Sequence, residues 1–182
     1  MVVNQVRWRP PIYGSYKLNT DTSLDISSQQ IGLGMVIQDQ DGNMMGSSAQ
    51  KVKTNSTPKA AEACAILRGL TFAFVTGLLL VLVKSDALEV VNMIKSGKEI
   101  SAEIGLFVGD IQELLLCNSG CLISYVSKKM NVVAHNISKL ALSIDEDCYL
   151  LESYPPCVER TIVLISLFLV LWFAFNKKKS HR

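Results

Sequence analysis

The chain has 182 residues, of which 49% are hydrophobic and 19% charged, enough apolar material for one domain with a tail and too much for a disordered chain. The net charge of +2 is deceptive, because Arg160, Lys177, Lys178, Lys179 and Arg182 lie in or beside the tail and acids outnumber bases over residues 1–159. No overall basic footprint exists, so nucleic-acid binding would need a local patch or bound cations.

Residues 1–15, with Arg7, Trp8, Arg9, Pro10, Pro11 and Gly14, read as an extended lead-in, with Trp8 covering one edge of the core. The start, Met1-Val2-Val3-Asn4-Gln5, lacks the pattern of a secretory signal. Tyr16–Asp21 alternates, with Tyr16, Leu18 and Thr20 on one face and Lys17, Asn19 and Asp21 on the other, as in a half-buried strand ending on an acid. A polar connection, Leu24–Gln30, leads to a second strand, Ile31–Gln38, whose Gly32 and Gly34 permit close backbone approach or a bulge. Asp39-Gln40-Asp41-Gly42-Asn43 is a turn signal, so Met44–Gln50 should close an antiparallel hairpin. Asp39 and Asp41 are expected to form that turn rather than bind metal.

Thr57 and Pro58 read as the N-cap and first residue of a helix that runs to about Phe74 and carries Glu62 in its first turns. An acid there also suits the positive end of the helix dipole. Leu78–Lys84 is almost wholly apolar and bounded by Gly77 and Asp86, the pattern of a central strand buried on both faces. Two helices, Ala87–Lys95 and Ile104–Cys117, a strand at Cys121–Val126 and a helix at Asn131–Leu142 complete the domain. The order predicts an α/β fold in which a hairpin and parallel crossovers build a mixed five-stranded sheet flanked by helices.

Asp21 and Asp86 each end a strand. If those strands are parallel neighbours, both carboxylates emerge at the edge where open α/β sheets carry their sites, and the intervening helix can bring Glu62 to the same place. Three converging carboxylates call for hard cations, Mg2+ or Mn2+, of the kind that support phosphodiester hydrolysis.

Asn19-Thr20-Asp21, Ile31–Ile37, Ala61-Glu62-Ala63-Cys64-Ala65-Ile66, Lys84-Ser85-Asp86-Ala87 and Asn131-Val132-Val133-Ala134-His135 occur in the order of a type 1 ribonuclease H domain. Between about Lys17 and Leu142 the chain resembles that family, most of all its plant reverse-transcriptase-like branch, in which retroelement-derived domains stand as separate proteins. The resemblance implies metal-dependent cleavage of the RNA strand of an RNA–DNA hybrid, with Asp21, Glu62 and Asp86 as catalytic metal ligands. Three departures stand out. Thr22 follows Asp21 where the family often has Gly, so a positive φ there would be strained. The family's fourth acid falls at His135, readable as an optional fourth metal ligand or as a helix-surface or capping histidine. A mobile His loop, present in many bacterial relatives, has no counterpart before Asn131. Thr22, Ser23, Lys128, Lys129 and Asn131 are the expected nucleic-acid contacts, and Asp145, Glu146 and Asp147 a solvated acidic end.

Five cysteines, at 64, 117, 121, 148 and 157, lack metal-site spacing and are expected as buried free thiols in a reducing, intracellular compartment, cytoplasm or nucleus. The domain is expected to extend over 16–145 as a monomer, with a linker over 146–160. Thr161–Phe175 carries no charge and precedes a basic tail, 176–182. At 15 residues it falls short of the roughly 20 that span a bilayer, though Arg160 and the lysines could snorkel. A membrane anchor is expected there, with a hydrophobic partner contact, or translated sequence without a fixed role, as alternatives.

Overall fold

The computed structural model describes residues 9–54, 56–97 and 102–159. Trp8 and the apolar segment Thr161–Phe175, for which edge-covering and membrane-anchoring roles are expected, lie outside these residues.

Three long strands open the domain: β1 (Tyr16–Asp25), β2 (Gln30–Gln38) and β3 (Met44–Lys53). The β2–β3 turn forms as expected, with Asp39 Oδ1 accepting from the backbone amides of Asp41 at 2.9 Å and Asn43 at 2.8 Å. Helix α1 (Pro58–Val75) begins at the expected cap, where Thr57 Oγ1 accepts from the Ala60 amide. Strand β4 (Val81–Ser85), helices α2 (Leu88–Ser96) and α3 (Ala102–Cys117), and strand β5 (Leu122–Tyr125) follow. A 3-10 turn at Lys128–Met130 leads into α4 (Val132–Ala141).

The sheet has six strands rather than five, in the order β5-β4-β1-β2-β3-β6. The added strand, β6 (Cys148–Leu151), lies in the segment expected to be a linker and pairs antiparallel with β3. Its four residues are too few to show a period, and the acidic run before it masks it. The run Asp145–Asp147 is exposed, as expected, and from it Asp147 Oδ1 accepts a surface hydrogen bond from the Lys51 amide at 3.0 Å. Beyond β6, Val158 is fully buried among Val36, Met44, Ala49 and α4 residues, so the polypeptide stays packed on the domain to that point.

The parallel pairs are β1–β4 and β4–β5; the remaining pairs are antiparallel. Because strand side chains alternate, β1 divides between two cores. Leu18, with Leu33, Met35 and Ile37 of β2, joins the main core beneath α1, α2 and α3. Burying each such side chain contributes about 1.5–3 kcal/mol. The opposite face receives α4, whose Val133, Ala134, Ile137 and Ala141 close a smaller core.

That second face depends on two absent side chains. A Cβ at Gly34 would stand 2.2 Å from the Ala134 carbonyl oxygen and 2.3 Å from the Ser138 amide nitrogen, and one at Gly32 would stand 2.1 Å from the Ser138 carbonyl oxygen. The close-approach reading of these glycines therefore holds, with helix backbone resting on strand backbone.

Cysteine burial is narrower than the sequence suggests. All five thiols are free, but only Cys121 is buried, Cys64 and Cys148 are intermediate, and Cys117 and Cys157 are exposed. Cys117 is the last residue of α3 and Cys157 lies in a three-residue 3-10 turn, Pro156–Val158, places where apolar pattern does not report depth. Among the described residues no helix is long and apolar enough to cross a membrane.

Gly34→Ala should lower stability by about 1–3 kcal/mol, because the clash is with backbone that cannot rotate away. Gly109→Ala, on the exposed face of α3 with no atom near the added methyl, should raise it by about 0.5–1 kcal/mol. Urea unfolding midpoints of the two variants, moving in opposite directions, would check this account.

Candidate active site

Asp21, expected to end its strand, instead lies within β1, because pairing with β2 continues to Asp25 opposite Gln30. What ends at this level is the parallel partner. The β1–β4 ladder stops at Thr20 opposite Ser85, so Asp21 and Asp86 are the next residues along two neighbouring strands. Their shared edge is the carboxyl side of the parallel pair, the expected place for a site.

Glu62 arrives from the other sheet face. Thr22 alternates with Asp21 and so faces α1, where its hydroxyl donates to Glu62 Oε1 at 2.6 Å. Positive φ among non-glycine described residues occurs only at Gln29 and Glu152, so Thr22 carries none of the strain its bulk suggested. Instead its β-branched shape suits the strand, and its hydroxyl orients the acid.

On the α4 side, Asp21 is 4% exposed, and its Oδ2 lies 2.8 Å from His135 Nδ1 and 3.1 Å from the donating Ser138 hydroxyl. With Asp21 ionised, Nδ1 carries the proton and donates. Ser23 meets Ser138 at 2.8 Å between hydroxyls, so it braces the helix. Asn131 is not at a nucleic-acid-facing surface: it is 1% exposed. Its side-chain amide nitrogen donates to Asp86 Oδ1 at 2.7 Å and to the Thr20 carbonyl at 2.9 Å, while its oxygen accepts from Asn19 at 2.8 Å. Asn131 thus fixes Asp86 against β1, a positioning task that the sequence concealed because a polar residue beside Lys128 and Lys129 reads as a phosphate contact. It makes no side-chain cap here. Asn19, one more member of this network, shared a motif with Asp21 and was legible only as part of it. Lys128 and Lys129 remain exposed, and the Lys128 ammonium is close enough to stabilise the Glu62 carboxylate.

Crowding acids in a buried edge perturbs them. Burial pushes Asp21 up to about 6; the His135 hydrogen bond opposes this, and the neighbouring Asp86 adds to it. Burial pushes Glu62 up to about 8, against the Thr22 hydrogen bond and with the charges of Asp21 and Asp86 adding to the rise. Glu62 Oε2 is buried and has no hydrogen-bond partner. The donor set of hard oxygens and this orphaned atom fit a divalent cation in chemistry. As placed, the acids are turned to Thr22, Asn131 and His135, and among the described residues no three His, Cys, Asp or Glu side chains group closely enough to hold a metal.

This arrangement is the ribonuclease H fold. The RNase H1 of the halophilic archaeon Halobacterium salinarum superposes with a TM-score of 0.66 at 18% identity, covering 71% of this chain and 98% of its own. LC11-RNase H1, solved in complex with an RNA/DNA hybrid, gives 0.64 at 18% identity, covering 71% and 97%. Prototype foamy virus protease–reverse transcriptase gives 0.59 at 18% identity, covering 75% of this chain and 22% of the viral one. Among curated proteins, none matches the sequence. The family model described as reverse transcriptase-like matches residues 19–141. The chain belongs to that family, as an RNase H-like domain of the retroelement type.

Both raised carboxyls make the folded protein hold protons that the unfolded chain releases. Their contribution to stability is full below the unfolded values near 4 and is lost as pH rises through about 6 for Asp21 and about 8 for Glu62. In chelator, the wild type should therefore lose stability relative to Glu62→Gln between pH 5 and pH 8, measured by urea unfolding. Taking the difference between the two proteins cancels Lys17, which burial holds down to about 7 and which acts in the opposite sense.

Proposed function

We propose that this domain is a divalent-metal-dependent endonuclease that cleaves the RNA strand of RNA–DNA hybrids. The supporting observation is the meeting of Asp21, Glu62 and Asp86 at one sheet edge, two of them with raised proton affinity and one with a buried unpartnered oxygen. Asp21, Glu62 and Asp86 would hold Mg2+ or Mn2+, with His135 as the fourth ligand. Bound divalent cations supply activation of a water and neutralisation of charge on the leaving oxygen.

The protein groups around them prepare the site. Thr22 aims Glu62, Asn131 holds Asp86 to β1, and Ser138 with His135 sets the direction of the Asp21 carboxylate. Lys128 and Lys129, exposed beside this edge, would contact phosphate, while Thr22 and Ser23 already spend their hydroxyls on Glu62 and Ser138. Recognition would follow the A-like shape and 2′-hydroxyls of the hybrid rather than base edges.

A second reading is a binding module that keeps the fold without turnover, favoured by the absence, among the described residues, of three acid, His or Cys side chains grouped closely enough to hold a metal. A labelled RNA–DNA hybrid separates the two. The full chain should cut the RNA strand in Mg2+ or Mn2+, and Asp21→Asn or Glu62→Gln should slow cutting by at least about a hundredfold. Retention of the hybrid by a folded protein that never cuts it would leave the binding module. Thr161–Phe175 with Lys177, Lys178 and Lys179 would add membrane attachment. In that case, removing residues 160–182 should shift the protein from the membrane fraction to the supernatant.

A further inference from the structure

On its β1–β4–β5 side, the end of the sheet opposite the candidate site is built from uncharged chain. Strands β1, β4 and β5 begin there, with Tyr16 opposite Val81 and Leu82 opposite Leu122, and helices α1 and α3 finish there at Val75 and Cys117. Although 19% of the chain is charged, the three stretches that meet at this end, 10–16, 69–83 and 114–127, hold no Asp, Glu, Lys or Arg. The core does not use all of their large apolar side chains: Ile12, Tyr13, Leu79, Leu80, Leu116 and Leu122 are between 45% and 91% exposed.

These residues gather on one surface. The Tyr16 amide donates to the Leu80 carbonyl at 2.7 Å, which ties the segment carrying Ile12 and Tyr13 to the approach to β4. The Cys121 thiol donates to the Leu79 carbonyl at 2.9 Å and joins the start of β5 to the same place. A Cβ at Gly120 would stand 2.9 Å from Leu80 Cδ2, so the turn that follows α3 rests on Leu80. The charged groups lie at the other edge, one length of β4 or about 15 Å away, where Asp21, Glu62, Asp86, Lys128 and Lys129 stand. A contiguous apolar surface of this kind marks an interaction site, unlike apolar side chains exposed singly.

We propose that this end of the domain is a lipid-facing surface that seats the protein on a bilayer with the candidate site turned to the water. The choice of partner rests on the membrane attachment through Thr161–Phe175 proposed above and adds an orientation to it. The chain leaves the domain at this end: Val158 is buried with Val36 and Met44, Met44 is opposite Gln38, and Gln38 is opposite Lys17, next to Tyr16. Residues 160–182 continue from there, with the uncharged 161–175 between Arg160 and Lys177, Lys178 and Lys179. That composition suits acyl chains and anionic headgroups together. Loops with free backbone groups go no deeper than the interfacial layer. At that depth leucines are buried, a tyrosine such as Tyr13 suits the boundary, and a charge would be costly, in keeping with the three uncharged stretches. The 15 residues of 161–175 are short for spanning a bilayer, so an apolar protein surface beside them supplies a second attachment.

Flotation with vesicles of phosphatidylcholine and phosphatidylserine tests this in the full chain, with Leu79→Asp, Leu122→Asp and, as a control, Leu106→Asp. Leu106 is also an exposed leucine, but it lies in the first turns of α3, whose Glu103 reaches the Thr57 amide at the start of α1. Circular dichroism would confirm that each variant is folded, and light scattering without lipid would report self-association. The wild type should float with the vesicles. Leu79→Asp and Leu122→Asp should each bind them at least about tenfold more weakly, and Leu106→Asp should bind as the wild type does. Equal binding by all four proteins would overturn the lipid-facing surface and leave attachment through 161–175 alone. If the wild type does not float, both the surface and the attachment fail, and the nuclease reading is untouched. A dimer without lipid that Leu122→Asp separates would overturn the proposal in favour of a contact between copies.

Discussion

Helix α4 lies with its backbone against the backbone of β2, and the candidate site depends on that contact. Gly32 and Gly34 supply it by having no side chain, bringing the Ala134 and Ser138 main-chain groups where a Cβ would otherwise stand. The approach places His135 and Ser138 on the Asp21 carboxylate and lets Asn131, just before the helix, reach Thr20 and Asp86. Close packing turns a small change in helix height into a displaced functional group, since interiors have few voids in which to absorb it.

The acids illustrate the balance between folding and function. Isolated, a carboxyl buried to this degree would be expensive to ionise. Three near one another raise that cost, and the pKa of Glu62 moves accordingly. The chain tolerates the arrangement because the hydroxyl of Thr22, the amide of Asn131, the hydroxyl of Ser138 and the imidazole of His135 each take a share of the carboxylate oxygens. One oxygen of Glu62 is left over. Perturbed acids gathered in one place are a common sign of a functional site.

Several elements were legible in advance for identifiable reasons. Thr57-Pro58 announces a helix start because the hydroxyl cap and the missing proline amide both suit the first turn. The alternation in Tyr16–Asp21 places Asp21 and Leu18 on opposite faces whatever the strand's eventual length. The end of β1 is not legible because three of its last four residues, Thr22, Ser23 and Asp25, are polar and the segment pairs only on the β2 side. β6 is not legible because its partner is 99 or more residues away in sequence, from Ala49 and Cys148 outward, and a four-residue strand carries little local signal.

The order of strands and helices from β1 to α4, the close-approach glycines and the three acids Asp21, Glu62 and Asp86 are properties of the amino-acid sequence, because alternation, capping and motif spacing are local and survive in a linear reading. The register of β1 on β4, the arrival of Glu62 from the opposite sheet face and the service of Asn131 as a buried strut were decided by tertiary structure. Each joins residues distant along the chain: Asn131 lies 112 residues from Asn19 and 45 from Asp86. Whether Asn131 faces solvent or a carboxylate depends on the height at which α4 rests on β2. That height is set by packing across the sheet, which no local pattern records.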